Sequence, residues 1–357
     1  MQITYDAAAD VLIPAAEPKE MLSCRVDGDS VRVRINFSSL SLIQECLRKF
    51  EYVVVRKLRS NLESPATLFG TAIHKGLEVF YSGDASERTL PPNFWETSGM
   101  IGFGHWEPEW EKYLLFRSLR GFVEKAKPLA ALPAENKRSA QTGVWLLGHY
   151  LEKNLEDPYV VFCGADGKPI VEHKFTMPLG SYVREDGRTV HIDAFGQIDV
   201  VLRHTVNGDI LPADHKTTSQ LGAPFYQRID PNFQYTMYLW AAREVLGLQT
   251  NSFLVNALQV KEKPKTARGS APQFARQITH RDEGHFAELR TAIFDSVEAH
   301  VSRLLTGRPY PMNTPGPCSN YGGCQFHDVC AAPTQLRETI LKTKFNGGIN
   351  ADTTNRT

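Results

Sequence analysis

The stretch that decides the fold contains two strand-like runs, AFGQIDVVL at residues 194–202 and ILPADHKTT at residues 210–218. An Asn-Gly dipeptide at residues 207–208 lies between them and is typical of a hairpin turn. We therefore predict that the two runs are neighbouring strands. The other predicted elements can be placed around this pair.

The polar residues of the predicted pair are of the types found at metal sites. Side chains alternate between the faces of a strand, so Asp214 and Lys216 point to one face and His215 to the other. If the two strands pair, Asp199 lies alongside them. Two carboxylates and one ammonium then share a patch that can bind a divalent cation and place a cationic group beside a phosphate.

Further strands and amphipathic helical patterns predict one α/β core that is decorated with helices. Ser38 or Ser39 is expected to cap the first helix. The polar end at residues 347–357 is expected to be disordered. The predicted helices cover residues 39–58, 68–81, 109–126, 142–155, 232–248 and 286–305, and the remaining strands cover 159–163, 169–179 and 252–260.

Composition places the chain among ordinary globular proteins. It has 357 residues, 42% hydrophobic residues and a formal net charge of zero. Because it has no run of about 18 apolar residues and no basic, apolar leader, we expect no membrane span and a cytoplasmic location. The balanced charge argues mildly against a nucleic-acid binder. A basic run between Lys261 and Arg281 is either a solvated loop or one wall of a nucleic-acid groove.

Four short motifs follow one another along the chain: GTAIHKGLE at 70–78, GQIDVV at 196–201, ADHKT at 213–217 and QYTMY at 234–238. In this order the chain resembles the PD-(D/E)XK nuclease superfamily, from about residue 37 to residue 330. Within this superfamily it resembles the RecB-like branch, which includes CRISPR adaptation nucleases that carry an iron–sulfur cluster. A lone D-x-K tripeptide is common by chance, whereas the ordered set is specific.

The resemblance implies a restriction-endonuclease-like core, in which a mixed central sheet is flanked by helices. Helical insertions and a C-terminal cysteine-rich cluster would decorate this core. It also implies an N-terminal extension at residues 1–36, a nuclease domain at residues 37–334 and a C-terminal tail at residues 335–357.

The resemblance further implies a divalent-metal site, with the ligands His74, Asp199, Asp214 and the backbone carbonyl of His215. Oxygen ligands suit Mg²⁺, whereas the imidazole nitrogen of His74 suits Mn²⁺ better. The ammonium of Lys216 would orient the attacking water or stabilise charge that develops on the phosphate. The expected catalytic residues are therefore Asp199, Asp214 and Lys216, together with Gln234 and Tyr238, which would hold the motif strands or the DNA strand.

Other motif residues have two interpretations each. Gln234 and Tyr238 share a helix face that the resemblance places at the active site, although Tyr238 also fits an apolar core. Glu172 is either a carboxylate that supports the site or an exposed strand residue. Glu78 is expected to form an ion pair or a structural hydrogen bond. Without the other motifs, His74 would be an ordinary packed helix residue.

Three of the six cysteines lie in PCSNYGGCQFHDVC at residues 317–330, and cytosolic proteins rarely use disulfides. This cluster predicts a metal site, with the ligands Cys318, Cys324 and Cys330. The resemblance supplies Cys46 as the fourth ligand of a [4Fe–4S] cluster, which would clip the N-terminal helix to the C-terminal segment. The spacing C-x₅-C-x₅-C departs from the family's C-x₂-C-x₅-C. A Zn²⁺ site in which His327 replaces Cys46, or three unligated thiols, therefore stay open.

With the resemblance, these features predict a metal-dependent DNA exonuclease that acts on ends or single strands. Recombination, repair, phage DNA processing and CRISPR adaptation are its expected settings, and proteins of recombination or adaptation are its candidate partners. The candidate DNA contacts are Lys261, Lys263, Lys265 and Arg268. A non-catalytic module that binds DNA ends on the same fold, and a metallohydrolase of another class, remain alternatives. The sequence contains no Walker A motif, so we expect no built-in helicase motor.

Overall fold

The computed structural model describes residues 5–6, 11–12, 21–60, 64–83, 110–131, 136–154, 157–261, 271–319 and 323–346. The α-helices are α1 Phe37–Glu45, α2 Leu47–Phe50, α3 Pro65–Ser82, α4 Trp110–Lys125, α5 Ala140–Asn154, α6 Ala223–Tyr226, α7 Phe233–Leu246, α8 Glu283–Thr306, α9 Gly316–Ser319, α10 His327–Ala331 and α11 Thr334–Lys344. A π-helical turn covers Glu51–Val55 and a 3₁₀ turn covers Lys127–Ala131. The strands are β1 Tyr5–Asp6, β2 Val11–Leu12, β3 Ser23–Asp27, β4 Ser30–Ile35, β5 Arg59–Ser60, β6 Tyr159–Val161, β7 Val171–Val183, β8 Thr189–His204, β9 Ile210–Thr218, β10 Ser252–Gln259, β11 Phe274–His280 and β12 Phe345–Asn346.

An eight-stranded mixed sheet forms the centre of the described residues. Its main path runs β11-β10-β9-β8-β4-β3, and β7 and β6 pair with the other edge of β8. The pairs β9–β10 and β4–β8 are parallel, whereas β8 is antiparallel to β9, β7 and β6. Helices pack on both faces of this sheet. The prediction of an α/β fold with a restriction-endonuclease-like core is confirmed.

The predicted hairpin between β8 and β9 is confirmed, and its register decides where the polar residues meet. The ladder pairs Arg203 with Ile210 and ends where Val200 lies opposite Ala213. On the same edge of β8, the ladder with β4 ends at Ala194. Residues 195–199 therefore lie in the gap where β4 and β9 diverge.

Two hydrophobic cores sandwich the sheet. One packs α3, α4 and α5 against β8, β9 and β10. The other packs α1, α2, α7 and α8 against β4, β7 and the first half of β8. Helix α3 thus lies on the opposite side of the sheet from α7, and the gap in β8 is accessible to both helices.

Helix α3 has strong local start and stop signals. The Ser64 side chain accepts a hydrogen bond from the Thr67 amide, proline occupies the first turn, and Gly83 ends the helix in the left-handed region with φ 58°. Gly76 permits close packing, because a Cβ there would lie 2.4 Å from a methyl carbon of Leu147 on α5. The helix is therefore fixed tightly, and so is the position of His74 on it.

The N-terminal helical region differs from the prediction of one helix over residues 39–58. Asn36, rather than Ser38 or Ser39, is the N-cap, and its side chain accepts from the Ser39 amide. Cys46 adopts an extended conformation between α1 and α2. This break turns the Cys46 side chain away from the helix axis and toward the C-terminal segment.

Both predicted terminal segments contribute ordered elements. Strands β3 and β4 fall within the predicted N-terminal extension, yet they belong to the central sheet. At the other end, α11 packs Leu341 against Tyr52 and Phe326, and β12 pairs with β5. The polar end at 347–357 lies outside the described residues. Within the described part of the chain, we find no helix whose length and apolar character would let it span a bilayer.

Candidate active site

The candidate site lies where the two cores meet along β8. Ile198 belongs to the hydrophobic core that packs α7 against the sheet, whereas Val200 belongs to the core on the opposite face, which packs α3. Strict alternation along a strand would place both side chains on one face. The reversal occurs at Asp199. Across on β7, Glu172 lies between the register pairs that flank Asp199 and has a positive φ of 48°. Such a conformation costs about 1–3 kcal/mol in a residue other than glycine and is often stored at functional sites.

His74, Glu172 and Asp199 form a group of potential metal ligands. One donor atom from each lies within 4.8 Å of the others, and His74 Nδ1 is 3.3 Å from Asp199 Oδ2. The amide of His215 donates to Asp199 Oδ2 at 2.8 Å, and the Gln197 side chain donates to Glu172 Oε2. The two carboxylates are thus held in place by hydrogen bonds. One imidazole nitrogen and two carboxylates are a donor set that suits Mn²⁺ or Mg²⁺.

Asp214 lies beside this group and is held by two cationic or polar side chains. Lys216 Nζ lies 3.0 Å from Asp214 Oδ1 and 2.7 Å from Oδ2, and Gln234 Nε2 donates to Oδ1 at 3.2 Å. Asp214 is buried, and its Oδ2 has no partner with hydrogen-bond geometry among the described residues. The carboxylate therefore retains an acceptor atom for a further cation.

The sequence prediction and the observed grouping differ in one ligand. The predicted set was His74, Asp199, Asp214 and the His215 carbonyl, whereas the observed group of side chains contains Glu172 instead of Asp214. Because the N–H and C=O of one strand residue point to the same side, the His215 carbonyl is also directed toward β8. The site thus has Glu172 and Asp214 on the strands that flank Asp199.

Several predicted residues lie at the margin of the site. The Tyr238 ring packs edge-on against Phe175 at 5.8 Å, and its helix neighbour Gln234 makes the contact with Asp214. Glu78 forms an ion pair of 2.8 Å with Lys75, one turn from His74. Glu78 is therefore engaged away from the metal-ligand group.

The carboxylates of the site repel one another when all are ionised. Burial raises the pKa of Asp199 to about 6; His74 opposes this shift, and the neighbouring Asp214 adds to it. A raised folded-state pKa means that the metal-free protein gains stability from the bound proton at low pH. This contribution is lost as the pH rises through about 6.

Metal affinity should therefore depend on pH in a defined window. Because a ligand carboxylate must be deprotonated, we expect Mn²⁺ affinity to rise steeply between pH 5 and pH 7 and then to level off. Calorimetric titration of the metal-free protein at about pH 5, 6 and 7, in buffers of different ionisation enthalpy, measures both the affinity and the protons released. An affinity that is the same at pH 5 and pH 7 would contradict this assignment.

A ring of buried polar groups lies behind the site, on the side that carries α3. The Asn256 amide donates to the Tyr150 hydroxyl at 2.7 Å and contacts His215 Nδ1 at 2.8 Å. Tyr150 contacts the Tyr81 hydroxyl at 2.9 Å, and the Tyr81 ring stacks on His215 at 5.3 Å. Tyr81 lies on the same helix as His74. The ring of buried polar groups therefore connects α3 to β9, the strand that carries Asp214.

Burial determines the charge of this ring. It lowers the pKa of His215 well below its usual value, with a smaller contribution from the neighbouring His74, so the imidazole is neutral near pH 7. Burial also raises the pKa of Tyr81 well above its usual value. Arg276 Nε donates to the side-chain oxygen Oδ1 of Asn256 at 3.4 Å, and the Arg276 guanidinium pairs with Asp157.

We expect Asn256→Leu to lower the free energy of unfolding by about 2–4 kcal/mol, because it leaves His215 Nδ1 and the Tyr150 hydroxyl without their buried partner. Denaturant unfolding measures the change. Gln277→Leu on the exposed side of the adjacent β11 is the matched control and should change the stability by less than about 0.5 kcal/mol. Equal effects of the two substitutions would show that the ring has no special role in stability.

The four predicted cluster cysteines lie around one small cavity. Cys46, Cys318, Cys324 and Cys330 all line it, together with apolar walls from Tyr52, Met312, Pro317 and Phe326 and the side chain of His327. Burial raises the pKa of the Cys330 thiol, and the nearby Cys324 and Cys46 add to the shift. The two cysteines outside the predicted cluster, Cys24 and Cys163, do not line this cavity.

Backbone contacts fix the cavity from both ends of the chain. Asn313 donates its amide to Cys46 Sγ at 3.4 Å and its side chain to the Glu45 carbonyl at 3.0 Å. The Cys324 amide donates to the Cys318 carbonyl at 2.9 Å. A set of four thiols in an apolar pocket fits an iron–sulfur cluster or a zinc ion.

The predicted basic run is only partly described. Lys263, Lys265 and Arg268 lie outside the described residues, and Lys261 follows the end of β10. Arg276 is bound to Asp157, and Arg281 is buried in a pair with Asp230 at 2.6 Å. Neither interpretation of the run between Lys261 and Arg281, a solvated loop or one wall of a nucleic-acid groove, fits these two arginines, because each pairs with a carboxylate of the folded domain.

Sequence reasoning missed several residues that shape the site. Gln197 precedes Asp199 by two positions, so strand alternation alone could have placed it near the carboxylates. Tyr81 follows His74 by seven residues, which is two helical turns on the same face. No sequence signal marks Asn256 or Tyr150, since their roles depend on tertiary packing.

Comparison with models of known protein families gives a match over most of the chain. A family model described as the PD-(D/E)XK nuclease superfamily matches residues 34–331. No curated protein sequence matches the chain. The matched region contains His74, Glu172, Asp199, Asp214 and Lys216 and all four cysteines of the cavity.

Proposed function

The chain belongs to the PD-(D/E)XK nuclease superfamily, and on that premise we propose that it hydrolyses phosphodiester bonds in DNA with the help of a divalent cation. The observation that carries the proposal is the juxtaposition of the His74–Glu172–Asp199 group with the Lys216–Asp214 pair. A nuclease needs anionic ligands for a cation and a cationic group for the phosphate. Both are found here around Asp199 on β8.

Each residue has a distinct proposed role. His74, Glu172, Asp199, Asp214 and the His215 carbonyl are the proposed ligands of Mg²⁺ or Mn²⁺. When bound, the cation would polarise the phosphate and lower the pKa of a water molecule. Lys216 stabilises the negative charge that develops on the phosphate oxygens.

Two amides and a tyrosine hold these groups in position. The Gln197 side chain keeps Glu172 directed at Asp199, and the Gln234 side chain keeps Asp214 beside Lys216. Tyr238, which packs against Phe175, supports the helix that presents Gln234. A preorganised site of this kind spends no energy on reorienting charges during the reaction.

We further propose that the four cavity cysteines hold a [4Fe–4S] cluster with a structural role. The apolar cavity and the all-sulfur donor set support it, and the departure in spacing leaves zinc as the competing occupant. The cluster would join the break between α1 and α2 to the segment after α8. It would thereby close the nuclease domain, proposed at residues 37–334, across nearly its whole length.

The type of nuclease, its substrate and its biological setting are proposed from the same resemblance. We propose a RecB-like exonuclease that acts on DNA ends or single strands in the cytoplasm, within recombination, repair, phage DNA processing or CRISPR adaptation. The resemblance and the separate cysteine cavity support this branch. Proteins of the same process are the proposed partners.

A substrate panel tests this proposal. The full-length protein is incubated with Mn²⁺ or Mg²⁺ and with linear single-stranded DNA, linear duplex DNA, closed circular DNA and RNA of matched length. We expect cleavage of linear DNA, slower cleavage of circles, and little cleavage of RNA. Rapid cleavage of closed circles would overturn the exonuclease assignment, and binding of DNA ends without any cleavage would favour the non-catalytic module.

A further inference from the structure

One face of the sheet beside the candidate site is exposed and basic. On β4, Val31, Val33 and Ile35 point into the core of α7 and α8. The alternate residues point the other way, toward the side that carries α3, and Arg32 among them is exposed. On β7 the outward residues Lys174 and Thr176 are exposed in the same manner.

Contacts across three strands establish that these residues share one surface. Arg34 on β4 extends over the ring of Phe195 on β8, with its guanidinium carbon 5.0 Å from the ring centroid. Its Nη2 then donates to the Thr176 hydroxyl on β7 at 3.3 Å. Arg34 therefore crosses the full width of β8 on the outward face.

Like charges face one another on this surface. The like charges are those of Arg25 on β3 and Arg32 on β4, which lie directly opposite each other. The position of Arg32 is also in register with that of His191 on β8. Like charges in directly opposed positions destabilise a sheet unless an anion lies between them. No ion pair to Arg25, Arg32 or Lys174 is found among the described residues. Asp193, which is in register with Arg34, adds one carboxylate to this surface. The arginines and Lys174 outnumber it, so the surface keeps an excess of positive charge.

The surface leads directly into the candidate site. Lys174 is in register with Gln197, and Gln197 donates to the carboxylate of Glu172. Side chains on one face of a strand are about 6.6 Å apart, so Lys174 is one such step from Glu172. From His191 to Asp199 the path along β8 is about 26 Å, which is long enough for several nucleotides.

We propose that Arg25, Arg32, Arg34 and Lys174, here called the basic track, bind the phosphates of the DNA strand that is cut. The inference rests on the proposed nuclease function and adds the path by which the substrate reaches the site. A phosphodiester backbone fits because it is a linear series of anions and the track is a linear series of cations that ends at the metal ligands. Arg25 and Arg32 precede the region that the family model matches, so this part of the track lies outside that region.

Charge reversal tests the track through DNA binding. Wild type and the double variant Arg32→Glu/Lys174→Glu are titrated with a fluorescent single-stranded oligonucleotide in Ca²⁺ at several salt concentrations. We expect Kd at about 0.1 M salt to rise at least tenfold, and the slope of log K against log salt to fall in magnitude by about 1.4, for two lost phosphate contacts. Lys168→Glu, on the exposed turn before β7, is the matched control and should leave both values unchanged.

A small substrate tests the active centre independently of the track. Bis-p-nitrophenyl phosphate is too short to reach the track, so wild type and the double variant should hydrolyse it at equal rates with Mn²⁺. If the wild type hydrolyses neither this ester nor DNA, the nuclease proposal fails. The binding measurement still tests whether the track binds DNA. Unchanged Kd and salt slope in the double variant would contradict the proposed role of the track, as would an equal loss of DNA affinity in Lys168→Glu. The milder Arg32→Gln/Lys174→Gln pair gives the same comparison should the charge reversal impair folding.

Discussion

Lys216→Ala is expected to lower kcat for DNA cleavage by about 10²–10³-fold and to leave DNA affinity within about threefold. Lys216 Nζ contacts both oxygens of Asp214 and is one-third exposed, so the ammonium is available to a phosphate on the open side of the site. Its charge would act mainly on negative charge that develops during the reaction. Removing it should therefore change kcat more than binding.

Two further variants make this result specific. Lys216→Gln keeps a hydrogen-bond donor for Asp214 but lacks the charge, so it should fold normally and remain as inactive as the alanine variant. Lys75→Ala removes another lysine of comparable exposure, from an ion pair on the surface of α3, and should leave kcat unchanged. Single-turnover cleavage and DNA binding in Ca²⁺ measure the two effects. Wild-type kcat in Lys216→Gln would contradict the proposed role.

Cys324→Ser is expected to release the bound metal and to lower Tm by roughly 10 °C. The cysteines join residue 46 to residues 318–330, so a shared cluster would close a loop of most of the chain. The chain entropy of such a closure corresponds to about 5 kcal/mol, and the loss of direct metal–thiolate bonds adds to it. The helices α10 and α11, which pack against Tyr52 through Phe326 and Leu341, should loosen first.

Anaerobic purification identifies the occupant and tests the prediction. We expect a brown protein that contains iron and acid-labile sulfide in the wild type, and a colourless one in Cys324→Ser. Cys163→Ser, an exposed cysteine outside the cavity, is the control and should keep the metal, the colour and the Tm. A colourless wild type with one equivalent of zinc would overturn the iron–sulfur proposal. A metal-free wild type would overturn both metal assignments.

The pairing of β8 with β9 was predictable, because the Asn-Gly turn and the strand periods together fix the register that brings Asp199 beside Asp214. The helices α3 and α7 were also predictable, since each is rich in apolar residues at helical spacing and has local caps. The role of Glu172 was not, because its position depends on a left-handed backbone conformation that no local sequence signal marks. Arg276 and Arg281 fall in a run of cations that the sequence presents as exposed, but each pairs with a carboxylate that is distant in sequence, Asp157 and Asp230 respectively.

Asp199 and its neighbours are proposed to form a metal-dependent nuclease centre. The most direct measurement compares cleavage of a labelled linear DNA by wild type, Asp199→Asn and the control Asp193→Asn, each with Mn²⁺ and with chelator. We predict metal-dependent cleavage by wild type and Asp193→Asn. Asp199→Asn should show none in Mn²⁺, although its metal-free form should be at least as stable as wild type because one repelling carboxylate is neutral. Cleavage by Asp199→Asn at the wild-type rate, or by wild type in chelator, would show that neither Asp199 nor a bound cation is needed for cleavage.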